Sequence, residues 1–213
     1  MKFHIIVADP PWPFKDRLRM SATKRGADAQ YKTMTIPEIK YLDVKSIAAE
    51  KAVLAMWCPS SLLVEGLDIM KAWGFEYKQT FIWVKTKKSE SVRSKINKWT
   101  KKPTDVVELL NSLLNFKMGH LFRQTHELVL LGVRGKGIYN NMANRSQISV
   151  NLYPATKHSE KPDALQDALY KIFPKAKKLE MFARRDKKGW QCVGFECPST
   201  LGEDIRDSIK KLS

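Results

Sequence analysis

This chain lacks the glycine loops that hold nucleotide phosphates. No Gly-x-Gly-x-x-Gly turn follows a strand-like run and opens a helix, which excludes a nicotinamide dehydrogenase. No Gly-Lys-Ser/Thr triplet is present, which excludes a P-loop. The run "GVRGKG" (Gly132 to Gly137) has the glycines at the wrong spacing and reads as a hairpin or exit loop. Cysteine is scarce: Cys58, Cys192 and Cys197 have neither metal-ligand spacing nor a disulfide framework, so reduced thiols, no metal site and a cytoplasmic setting are expected. No apolar run is long enough to cross a bilayer. Met1-Lys2-Phe3-His4 leads straight into strand-like residues without a signal-peptide layout. Internal repeats and low-complexity segments are missing too. Acid is under-represented: 22 Asp and Glu stand against 38 Lys and Arg, a net charge of +16. That imbalance favours a polyanionic partner, nucleic acid first. A membrane surface is disfavoured, because no long basic helix has a wide apolar face.

What is there is an alternation of short apolar runs with helical patterns. Residues 3–8, 52–58, 78–84, 126–133, 146–153, 178–183 and 190–195 read as strands. Residues 36–50 carry a short helix and a turn. Ser60 or Ser61 caps a helix with Leu63, Leu67 and Met70 on one face and Gly74 past its end. Lys161-Pro162-Asp163 opens a helix stopped by Pro174, and the tail from Ser199 reads as a capped helix with Ile205, Ile209 and Leu212 inward. Strands alternating with helices predict an α/β fold with a central, mostly parallel sheet and flanking helices. With 213 residues and 43% hydrophobic content, one domain over 1–213 is expected. A lysine-rich excursion at about 86–118 interrupts the alternation. It includes Trp99 and a helix over 105–116 whose Asp105 and Glu108 fit a capping box. A nucleic-acid contact, a solvated insertion and a dimer contact are all open for it.

The first strand runs into Asp9-Pro10-Pro11-Trp12. One reading is structural: the prolines stop the strand and Trp12 enters the core. The other is chemical. Open α/β sheets bind ligands beyond the carboxyl ends of their strands. There Asp9 and the Pro10 carbonyl offer two acceptors and Trp12 a flat stacking surface. Such a set grips a planar ring with an exocyclic amine, as in adenine, and orients its nitrogen for attack.

With this tetrad the sequence resembles the MT-A family of S-adenosylmethionine-dependent adenine N(6)-methyltransferases. Further stretches agree in order: "QYKTMT" (Gln30 to Thr35), "FIWVKT" (Phe81 to Thr86), "GHLFRQTHELVLLGVRG" (Gly119 to Gly135), "HSEKPDAL", and "KKLEMFARRDKKGWQCVGFE". The resemblance implies a Rossmann-like class I methyltransferase of permuted motif order, in the style of short bacterial and phage members. It implies Asp9, Pro10, Pro11 and Trp12 as the target-amine site. It places Asp9, Lys161, Glu180, Phe182, Arg184 and Glu196 at cofactor positions for S-adenosyl-L-methionine. It places Tyr31, Lys85, Arg123 and Glu127 on the substrate side, with Trp99 a stacking candidate. Each has a plainer alternative: Tyr31 as a loop anchor, Glu180 and Arg184 as a surface ion pair, Glu196 as ordinary surface. Trp57 and Trp83 are assigned to the core. Two departures stand out: Asp186-Lys187 replaces a His-Asn pair, and Gly194-Phe195 a Gly-Asn pair, so some cofactor contacts differ. The implied activity is methyl transfer to the 6-amino group of adenine in nucleic acid, DNA favoured over RNA, by a monomer or homodimer without an obligate heterologous partner. The alternatives are an RNA adenosine methyltransferase and a non-catalytic nucleic-acid-binding homologue that partners an active subunit.

Overall fold

The architecture is that of a computed structural model, which describes residues 1–13, 33–97, 105–117, 121–155 and 160–213. Tyr31 and Trp99 lie outside the described residues.

Seven strands form one sheet: β1 (Phe3–Ala8), β2 (Ala48–Cys58), β3 (Glu76–Thr86), β4 (His126–Arg134), β5 (Val150–Pro154), β6 (Lys178–Met181) and β7 (Gln191–Val193), in the order β5-β3-β4-β2-β1-β6-β7. β4 runs antiparallel to both neighbours and every other pairing is parallel. The helices are α1 (Ile36–Lys40), α2 (Val44–Ile47), α3 (Leu63–Ala72), α4 (Ser89–Asn97), α5 (Asp105–Leu113), α6 (Ala164–Ile172) and α7 (Ile205–Leu212). This is a Rossmann-like α/β arrangement with a mostly parallel sheet and flanking helices, as the sequence predicts.

Through their middles the strands alternate, so each sheet face has its own core. One cluster holds Ile6, Ala8, Leu54, Met56, Leu130 and Met181 with α1, α3 and α7 residues such as Ile39, Met70, Trp73 and Ile209. The other holds Ile5, Val7, Val53, Ala55, Trp57, Phe81, Trp83 and Val129 under Leu165 and Leu169 of α6 and Phe173 just past its end. Both faces are dry, which is why β1 and β2 read as near-continuous apolar runs.

Local chemistry sets the ends. Thr35 and Glu38 close a reciprocal capping box on α1. Gly74 follows α3 at φ +82°, a conformation that favours glycine. Most boundaries shift by a few residues from the sequence reading, Ser60 and Ser61 sit in a short turn before α3 rather than capping it, and three shifts have a clear local cause. β2 starts four residues early, at Ala48, because α2 is a single turn that ends at Ile47. β6 stops at Met181, because Phe182 turns into the left-handed region at φ 62°. α7 starts at Ile205 rather than near Ser199, because the Asp204 side chain caps it and Pro198–Thr200 form only a short turn. Between β3 and β4 the chain leaves the sheet for α4 and α5. It returns through backbone bonds from Lys87 to Leu113 (2.8 Å) and from Asn115 to Lys85 (2.7 Å).

Candidate active site

The alternation of the strands decides which side chains can meet. Ile5, Val7 and then Asp9 point to the α6 face of the sheet. So do Trp57 on β2, Trp83 and Lys85 on β3, Glu127 and Val129 on β4, and Glu180 and Cys192 on β6 and β7. The registers confirm this: Val7 pairs with Ala55 and Glu180, Trp83 with Glu127, and Glu180 with Cys192. Asp9, Trp57 and Lys85 also lie at or just beyond the carboxyl ends of their strands, where α/β sheets bind ligands. β4 runs the other way, so it delivers Glu127 to the same end from its start.

A four-membered charge chain results. The Lys161 Nζ donates to Asp9 Oδ2 at 2.8 Å and lies 3.4 Å from Glu127 Oε2. Glu127 also pairs with Lys85, which is almost fully buried. Both ammoniums rest against indoles: Lys161 is 5.4 Å from the Trp57 ring centre and Lys85 is 5.1 Å from that of Trp83. The two rings meet edge to face at 6.1 Å. Burial pushes the Glu127 carboxyl up, but Lys161, Lys85 and Lys117 outweigh it and hold it below the usual range. Burial pulls the Lys161 ammonium down, but Asp9 and Glu127 outweigh it and hold it above the usual range. Glu127 and Lys161 are thus both held in their charged forms at neutral pH.

The tetrad itself is tightly fixed. The Pro10 carbonyl accepts from Trp12 N–H at 2.9 Å, and the Pro11 carbonyl accepts from Met34 N–H at 2.9 Å. One lone pair of the Pro10 oxygen remains for another donor. Trp12 is only 3% exposed, packs in the α1/α3 core, and donates its indole N–H to the Trp57 carbonyl at 3.0 Å. Its ring is an anchor in this structure rather than the open stacking face the sequence suggested.

Beside Asp9 stands the end of β6. Glu180 accepts from Gln166 Nε2 at 3.0 Å, and the Cys192 thiol lies 4.0 Å from its other oxygen. Burial raises the Glu180 carboxyl above its usual range, and the nearby Asp9 adds to that. Phe182 holds φ 62°, rare for an aromatic and a mark of strain kept by its surroundings. Those surroundings include Gly194: a Cβ there would meet the Ala183 carbonyl oxygen at 2.3 Å and its nitrogen at 2.6 Å. Arg184 and Glu196 follow on the rim, 3.7 Å apart and largely exposed. Arg185 and Lys187 clamp this loop to Glu160, Asp163 and Asp167 at the start of α6. The structure thus gathers Asp9, Lys161, Glu127, Lys85, Glu180 and Phe182 at one end of the sheet. Arg123 sits farther out, 5.9 Å from the Phe116 ring, on a hairpin joined by the Lys117–Gln124 bridge.

Three participants escape a reading of the sequence. Trp57 and Trp83 are core residues, as expected, but also cation platforms. Only the strand registers, which put both on the face that Asp9 shares, mark them. Gln166 is a polar residue on the apolar side of α6, three residues before Leu169, and that misplacement is its only sequence trace.

The MT-A70 family model matches residues 3–109 and 106–196. This chain belongs to the MT-A70 family. Among its relatives, the type II methyltransferase M.MunI of Mycoplasma sp is 30% identical over 212 aligned positions, covering 92% of this chain and 78% of that protein. The N(6)-adenosine-methyltransferase MT-A70-like protein of Arabidopsis thaliana is 26% identical, covering 98% of this chain and 26% of that one. The human N(6)-adenosine-methyltransferase catalytic subunit METTL3 is 24% identical, covering 86% of this chain and 26% of that protein. This MT-A70 chain therefore spans about a quarter of the plant and human relatives. It is a methyltransferase by family, and the charged end of its sheet is the candidate centre.

Proposed function

We infer that this chain transfers a methyl group from S-adenosyl-L-methionine to the 6-amino group of adenine in nucleic acid, with DNA preferred to RNA. The observation that carries the reading is the placement of Asp9, held by Lys161, beside Glu180 and Phe182 at adjacent strand ends. An acceptor for the target amine and a pocket for a methyl donor then share one edge. DNA is favoured because M.MunI, a relative that this chain covers to 78%, is named a type II methyltransferase, whereas the relatives it covers to about a quarter are named for adenosine, the ribonucleoside.

The residues present fit the donor. Glu180 is a half-sheltered acceptor for its amine or hydroxyl groups, Arg184 offers a fork for its carboxylate, and Glu196 and Phe182 border the same loop. When bound, S-adenosylmethionine supplies an electrophilic methyl on a sulfonium. The protein does the rest by position and charge. Asp9 and the Pro10 carbonyl accept the two N–H groups of the adenine amine and turn its nitrogen outward. Lys161, braced by the Trp57 indole and shared with Glu127, fixes the Asp9 carboxylate in place. Asp9 then favours the positive charge that builds on the amine nitrogen, and the proton leaves afterwards. Phe116, Leu121 and Phe122 are exposed on the hairpin that leads into Glu127, beside Lys117 and Arg123. Apolar faces among cations suit nucleic-acid bases and phosphates. The enzyme works as a monomer or homodimer in the cytoplasm, a reducing setting that suits its three free, buried cysteines.

The test is direct. Incubate the chain with isotopically labelled S-adenosylmethionine and native DNA, heat-denatured DNA or RNA, then digest and look for 6-methyladenine by mass spectrometry. Label in DNA above RNA is expected. Label confined to RNA reverses the substrate preference, and no label in any of them makes the chain a non-catalytic homologue. Asp9→Ala should lower turnover roughly 100-fold or more while leaving cofactor affinity within a few fold. A near-normal rate would remove Asp9 from the chemistry.

A further inference from the structure

α6 covers one sheet face with Leu165 and Leu169, joined by Phe173 just past its end, all buried. Gln166 lies among them, 3% exposed. Burying a side-chain amide is unfavourable unless both of its ends are satisfied. Only one end is: Nε2 donates to Glu180 Oε1 at 3.0 Å, while Oε1 has no partner among the described residues. An apolar side chain of similar volume would serve the packing better. The polar group is retained at a loss, and the only polar side chain it bonds is the carboxylate beside the proposed donor site.

Glu180 needs such a partner. Its neighbours on the sheet are Val7 and Cys192, neither of which donates strongly. Arg185 and Lys187 favour its ionised form from the loop above, but both are committed to the α6 acids, and Asp9 opposes ionisation from β1. Gln166 is thus the one direct hydrogen-bond donor of normal length on the carboxylate among the described residues. A bond to Oε1 also leaves Oε2 turned away from α6. When Glu180 takes up a proton, the amide can turn over and accept it through the now unpartnered Oε1.

We propose that Gln166 is a positioning residue: it holds the Glu180 carboxylate ionised and aimed at the methyl donor, and so sets donor affinity. The proposal rests on the assignment of Glu180 to the donor site made above. It concerns a residue outside every motif of the family resemblance.

The test uses S-adenosylhomocysteine, the demethylated product, as the probe. Measure its affinity calorimetrically between pH 5.5 and 8.5 for the whole chain, Gln166→Met, Glu180→Gln and the double variant. Methionine keeps the volume and removes the donor. Wild-type affinity is expected to fall on the acid side. Gln166→Met should bind about tenfold more weakly at pH 7, as loss of a hydrogen bond to a charged group implies, with its acid fall-off moved to higher pH. Glu180→Gln should abolish the fall-off, and Gln166→Met should then add no further pH dependence. Weaker binding with an unmoved fall-off makes Gln166 merely structural and overturns the proposal, as does unchanged binding. Should Gln166→Met fail to fold, Gln166→Glu takes its place: a second carboxylate must move the fall-off upward as well, and an unmoved one refutes the idea. Failure of the wild type to bind the probe at all would instead bring down the donor-site reading itself.

Discussion

Lys161 is the cation that Asp9 and Glu127 share, and removing it leaves two carboxylates facing each other. Fully buried pairs lose about 3–5 kcal/mol when one partner is deleted. Here the carboxylates keep 27% and 28% exposure, so about 2 kcal/mol is expected for Lys161→Met. Its pH dependence follows from the two opposite shifts. Glu127 is held low, so its share of the stability is present above the ordinary carboxylate value and is lost as pH falls through the folded one. Lys161 is held high, so its share is present below the ordinary lysine value and is lost as pH rises through the folded one. The gap between wild type and variant in urea unfolding is therefore widest between roughly pH 5 and pH 10 and narrows outside that window. A gap of constant size across pH 3–8 would show that the pair is not ionic in its effect. Glu180 carries the other sign. Its carboxyl is held high, so its ionised form weakens the fold at neutral pH. Glu180→Gln should raise the melting temperature at pH 8 by roughly 2–4 °C, the response of a chain this size to about 1 kcal/mol. The gain should shrink as pH falls and vanish below about pH 4, under the ordinary carboxylate value, where the group is neutral in both states. A group tuned against stability is what a binding site requires.

At the scale of elements, the end of β6 and the end of β7 act as one piece. Phe182 turns left-handed, and Gly194 lets the following loop close on Ala183 without a Cβ between them. Gly194→Ala puts a methyl against backbone atoms that cannot rotate away. Overpacking of this kind typically costs about 1–3 kcal/mol. The strain falls on Phe182 to Arg184, so cofactor affinity should drop by more than the stability loss explains. Calorimetry on the folded variant reads this, and unchanged affinity would separate the loop from the donor. The sequence announces these elements unequally. β1 and β2 are legible because both faces are buried and the apolar runs are long. α4 is not, because Ser89–Asn97 is mostly polar, with mean hydropathy too low to show an inward face. The site is legible as a set of residue types. Its wiring is not: Lys161 reaches Asp9 across 152 positions, and only the strand registers reveal which odd and even residues share a face. Gln166 stays hidden because its one trace, a polar residue on the apolar side of a helix pattern, is too common to single it out.

For the molecule as a whole, the question is where a net charge of +16 is placed. Around the donor loop the charges cancel: Arg184, Arg185 and Lys187 each have acidic partners. Lys161 and Lys85 are likewise neutralised by Asp9 and Glu127. Excess cation gathers on the excursion between β3 and β4, where Lys88 and Arg93 are exposed and Lys95 half-exposed on α4. That segment springs directly from Lys85 and returns directly into the hairpin before Glu127, so a polyanion lying along it passes the charged end of the sheet. Each phosphate neutralised releases counterions, and the slope of log affinity against log salt steepens by about 0.9 on duplex and about 0.7 on a single strand. Replacing Lys88, Arg93 and Lys95 by glutamine should flatten the slope by up to about 2.7 on duplex DNA, less on denatured DNA. Cofactor affinity should not change, because none of the three touches the donor site. Titrations at several salt concentrations on both forms measure the two slopes. Their ratio reports which form lies along α4, and an unaltered slope on both would move the nucleic-acid path to another side of the molecule.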